Sequence, residues 1–74
     1  MEYEVLREAR LRVPFRPFTL TTKDGSVYHV IDETTMAIGP RDLMVQDNEG
    51  RAVRLGLKEV VALSYLDETS GKLT

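Results

Sequence analysis

Two prolines three residues apart, each followed by phenylalanine, divide this chain into two unlike parts: Pro14-Phe15-Arg16-Pro17-Phe18. Proline fixes its own φ and pushes the residue before it out of the helical region. Val13 and Arg16 must therefore be extended, and a helix that begins upstream has to stop by about Val13. Downstream, the sequence breaks into short alternating runs separated by tight turns. Phe15 and Phe18 are the only Phe in the chain, and each can bury roughly 150–250 Å². They are expected to clamp the helix onto a sheet.

Residues 2–12 carry the helix. Val5, Leu6, Ala9 and Val13 fall on one stripe of a 100° wheel, which predicts the face that packs inward. Glu2 and Glu4 lie in the first turn and Arg10 and Arg12 in the last, as the helix dipole favours. Glu8 and Arg12 form a supporting i,i+4 pair.

Phe18 to Lys23 alternates and is rich in β-branched residues, so it reads as a strand. Asp24-Gly25 marks a hairpin, and Ser26 to Ile31 is the returning strand. A two-residue turn would pair Leu20 with His29. A three-residue loop with Gly25 left-handed would pair Leu20 with Tyr28, place Phe18, Leu20, Tyr28 and Val30 inside, and turn His29 outward. The second register is favoured because it buries the aromatic ring; a slip of one residue would reverse every side chain. Further strands are expected at Met36–Ile38, Leu43–Gln46, Arg51–Leu55 and Val60–Leu66, with a single helical turn over Gly56–Glu59. Gly50 closes a second hairpin in a position that wants positive φ. The last strand has apolar residues on both faces: Val61, Leu63 and Tyr65 on one, Val60, Ala62 and Leu66 on the other.

Seventy-four residues make one domain, with a helix over 1–13, a barrel over 14–66 and a polar tail over 67–74. The fold class expected is mainly β (α+β), an N-terminal helix followed by a five- to six-stranded antiparallel small barrel or curved sheet. A chain this short buries only about 60% of its unfolded surface. It has no Cys and one His, so neither a disulfide nor a zinc site can add stability. Association with other copies, as a dimer or a ring, is the remaining route to more burial. The doubly apolar last strand points the same way, because a strand with one wet face should alternate.

The net charge of −2 argues against a general nucleic-acid binder, which carries a basic face. Residues 1–17 differ from the rest, holding Arg7, Arg10, Arg12 and Arg16 against three Glu. No apolar run approaches the ~20 residues of a membrane helix, and no signal peptide is present, so a cytoplasmic location without membrane contact is expected.

The layout of helix, short antiparallel strands and one helical turn before the last strand is similar to that of Sm-like and Src-homology-3-type small barrels. Thr22-Lys23-Asp24-Gly25-Ser26-Val27-Tyr28 resembles the first Sm motif. This chain has Val30 where that motif carries Gly, has no Asp-aromatic-Asn set after Asp32, and is longer over 32–50. The resemblance thus implies a fold and assigns no RNA-contacting residue. The PFRPF start, Asp24-Gly25 and the apolar close at Val60-Val61-Ala62-Leu63 also resemble a family of small uncharacterised bacterial proteins, a resemblance that implies no activity.

No residue set carries catalysis. His29 has no nucleophile or carboxylate assigned to it by spacing. A triad of Ser64, His29 and Asp67 lacks a nucleophile-elbow sequence. Asp32, Glu33, Asp42 and Asp47 lack calcium-loop spacing. An enzyme is therefore not expected, nor a metal or other cofactor. The one candidate binding constellation is Arg7, Arg10, Arg12 and Arg16, whose guanidinium groups suit phosphate, anionic lipid or an acidic partner. Against it stands the plain alternative, a helix face whose Arg stems cover apolar surface. The functional expectation is a protein-interaction or assembly module. The alternative is an Sm-like RNA-binding module using these arginines, which the acidic balance disfavours.

Overall fold

The computed structural model describes residues 1–66; the polar tail expected over 67–74 lies outside them. Helix α1 (Tyr3–Leu11) is followed by strands β1 (Phe18–Thr22), β2 (Val27–Val30), β3 (Met36–Ile38), β4 (Asp42–Gln46), β5 (Ala52–Gly56) and β6 (Val60–Tyr65). The strands form two antiparallel three-stranded sheets, ordered β2-β1-β6 and β3-β4-β5. The architecture is mainly β with one helix, as expected, but among the described residues no closed barrel forms. A short 3₁₀ turn at Glu33–Thr35 separates β2 from β3, and another at Leu57–Glu59 separates β5 from β6. Each carries the chain from one sheet to the other, so neither pair of neighbours shares a ladder.

The core lies between the sheets and under the helix. Phe18, Leu20 and Val30 of the first sheet meet Met36, Leu43, Val45 and Leu55 of the second, with Leu57 and Val60 at the crossing. Leu6 and Ala9 close it from the helix. Two polar contacts fix the helix across the sheets. The amino group of Met1 donates to the carbonyls of Leu57 and Val60, and Arg10 Nε donates to the Met36 carbonyl at 2.9 Å. The helix is narrower than the wheel predicts: it ends at Leu11, short of residue 13, and Val5 and Val13 are exposed. Arg12 already has ψ 137, because Pro14 denies Val13 helical geometry and the turn ahead must open early. The Val13–Pro14 peptide bond is cis.

The first hairpin takes the three-residue loop. Leu20 pairs with Tyr28, Gly25 has φ 89, and His29 faces solvent. Asp24 sets the loop: it accepts from the Thr22 hydroxyl and from the Ser26 amide at 3.0 Å. Those donors, the Thr22 hydroxyl foremost, hold its carboxyl below the usual aspartate range. Gly50, with φ 79, closes the second hairpin.

Strand β6 departs from the simple alternation expected of it. Thr21 pairs with Ala62 but Thr22 pairs with Val60, so one residue is extra on β6. This β-bulge turns Val60 into the core and Val61 out of it. Inside now stand Val60, Leu63 and Tyr65; outside stand Val61, Ala62 and Ser64. The helix covers none of those outer side chains.

Candidate functional site

The four arginines do not converge. Arg7 is exposed on the helix, where an open hollow of about 430 Å³ is lined also by Glu4, Glu8, Leu11 and Arg12. Arg10 is occupied by the Met36 carbonyl. Arg12 and Arg16 meet at one ring: their guanidinium carbons lie 5.0 and 4.2 Å from the centre of Tyr65. That ring also packs edge-on against Phe18, at 6.2 Å between centroids. The pair therefore anchors the connector to β6 through cation–π contact, and the Tyr65 ring has little open face left.

The acidic residues are used by their own turns. Asp32 accepts from the Thr34 amide and hydroxyl, and these donors, the amide first, hold its carboxyl low. Asp47 accepts from the amides of Arg51 and Glu49 and from Arg51 Nε at 3.3 Å, and it too is held low, chiefly by the Arg51 amide. Asp42 pairs with Arg54. Among the described residues no three His, Asp or Glu side chains are grouped to hold a metal ion.

His29 and Ser64 both stand opposite Thr19, on its two sides. Two strand spacings of about 4.8 Å separate them, too far for a base to reach a nucleophile. His29 Nδ1 is 3.0 Å from the Thr19 hydroxyl instead. Asp67, the third member of the sequence-derived triad, lies outside the described residues.

The register exposes a surface that residue-by-residue reading missed. On the outer face of the first sheet one row is Val27, Thr21 and Ala62, and the next is His29, Thr19 and Ser64. None of these six is Asp, Glu, Lys or Arg, in a chain that is 30% charged. Of the six, Val27 is 47% exposed, and beside them Ile31 is 69%, Val61 54% and Leu66 38% exposed. The second sheet gives the contrast. Its outer face carries Ala37, Asp42, Met44, Gln46, Ala52 and Arg54, with the Asp42–Arg54 ion pair among them, as a wet face should. The apolar signal in the sequence was the last strand; only the bulge and the register show that it joins Val27 and Ile31 in one patch.

No membrane-spanning helix is present among the described residues. Compared with known protein families, curated proteins and solved structures, the chain gives no significant match to any of the three.

Proposed function

We propose that the chain is a non-enzymatic protein-interaction module that assembles with a second copy of itself through the outer face of its first sheet. The observation that carries this reading is the contrast between the two outer faces, one charged and one uncharged. An exposed sheet face rich in Val, Ile, Leu and Thr loses little by leaving water and gains roughly 25 cal/mol per Å² of apolar area covered. Two identical copies meeting about a two-fold axis bring no like charges together on this face, although each copy has a net charge of −2. Among the described residues this face offers no charge to a partner recognised by charge. Three strands at about 4.8 Å spacing and five residues at about 3.3 Å make a platform of only about 240 Å² per copy, well below the ~800 Å² of a standard interface, so weak association is expected.

Ala62→Arg tests the reading. Ala62 is exposed in the single chain, so the arginine leaves the fold unchanged but places a charge on the β6 side of the patch. The variant should sediment as a monomer at about 100 µM, where the wild type associates, with an unchanged circular-dichroism spectrum. A variant that sediments like the wild type would exclude this face as the interface.

The RNA-binding alternative rests on Arg7, Arg10, Arg12 and Arg16. Single-stranded RNA is held by open aromatic rings beside a basic groove, whereas here Arg10 is bound to a backbone carbonyl and Tyr65 lies beneath two guanidinium groups. Filter binding of single-stranded RNA at physiological salt should therefore give no sub-micromolar affinity. A sub-micromolar constant, lost on changing Arg7, Arg10 and Arg16 together to Gln, would reverse the order of the two readings.

A further inference from the structure

The uncharged face contains one group that can acquire a charge. His29 sits in its second row, beside Thr19 and across it from Ser64. Resting on the self-assembly reading, we infer that His29 makes the association pH-sensitive, permitting it when the imidazole is neutral and opposing it when the ring is protonated.

The geometry supports this from each element around the ring. On β1 the Thr19 hydroxyl lies 3.0 Å from Nδ1, so a neutral ring can accept a hydrogen bond from it. On β6 the residue in the same row is Ser64, which is uncharged. On the far side a hollow of about 220 Å³ is shared with Ile31, Thr35, Gln46, Asp47 and Asn48. Asp47 is the one carboxylate among these, and its oxygens already accept from Arg51 and Glu49. Among the described residues nothing else on the face supplies a negative charge. A second copy laid on the face removes water from the ring and offers the same Thr19, Ser64 and His29 in return. Taking a charged imidazole out of water is costly, and the Asp47 carboxylate, already paired with Arg51, offsets little of that cost, so the assembled state favours the neutral ring.

The sign follows. Assembly disfavours the protonated ring, so association is expected at pH 7.5 and its loss on acidification to pH 5.5, and because a dimer brings two such rings the effect enters the association constant twice.

Sedimentation equilibrium of the wild type and of His29→Gln at both pH values is the test. Gln is neutral and can still accept from Thr19. The wild type should associate at pH 7.5 and lose that association at pH 5.5, with unchanged circular dichroism. The variant should associate alike at both. Wild-type association that is equal at the two pH values would overturn the role of His29 while leaving the assembly reading intact. A loss at pH 5.5 that persists in His29→Gln would also overturn it, moving the effect to another group. A wild type that is monomeric at about 100 µM at both pH values would overturn the assembly reading and this inference with it.

Discussion

Phe18→Ala should lower stability by about 3–5 kcal/mol, the range for deleting a buried phenylalanine ring. Phe18 is fully buried at the middle of the first sheet, paired with Val30 on one side and Tyr65 on the other. Its ring packs against Phe15 at 5.8 Å and against the Tyr65 edge at 6.2 Å. Truncation thus opens a cavity where the connector, the sheet and the Arg12–Arg16–Tyr65 contact meet. At roughly 0.05–0.15 kcal/mol per residue, a chain of this length has only about 4–11 kcal/mol in total. The variant should melt tens of degrees lower, or be unfolded at 25 °C, by circular dichroism. A melt within a few degrees of the wild type would show that Phe18 is not the centre of the core.

Leu6→Ala should cost about 2–5 kcal/mol. Leu6 and Ala9 are the two buried residues of α1, and a nine-residue helix is marginal without tertiary contact. Removing Leu6 takes away most of the apolar grip, leaving the helix held by the Met1 amine and the Arg10–Met36 bond. Val5→Ala is the matched control, since Val5 shares the stripe on the wheel but is exposed; it should cost less than about 1 kcal/mol. Urea denaturation of the two variants separates them. Equal losses would mean that the helix packs on a broader face than Leu6 and Ala9.

The elements most legible in the sequence were those fixed by local chemistry. Two prolines determined where the helix had to end, and Asp24-Gly25 located the first hairpin. Both a two- and a three-residue loop fit that dipeptide; burial of the Tyr28 ring beside Leu20 selected the three-residue loop, which turns His29 outward. What the sequence concealed depends on contacts between distant residues. The wheel placed Val5 and Val13 inward because it has no knowledge of how much of the helix the sheets can reach. The β6 bulge is set by the pairing of Thr21 and Thr22 with a strand about forty residues away, and no local signal marks it. Without the bulge, Val60 and Val61 are assigned to the wrong faces. The two-sheet arrangement was likewise obscured, because a 3₁₀ turn between strands reads the same whether the sheet closes or divides. The arginine group looked like a site because the four residues are close in sequence; Arg10 and the Arg12–Arg16 pair instead hold the helix and connector in place.

The central claim is that the uncharged outer face of the first sheet is where two copies meet. Backbone amide chemical shifts recorded from about 10 µM to about 1 mM at pH 7.5 test it residue by residue. Assembly through this face predicts concentration-dependent shifts centred on Thr19, Thr21, Val27, His29, Ala62 and Ser64, with Asp42, Met44 and Arg54 of the opposite sheet unmoved. Spectra that do not change over that range, or changes centred on the second sheet or the helix arginines, would contradict it.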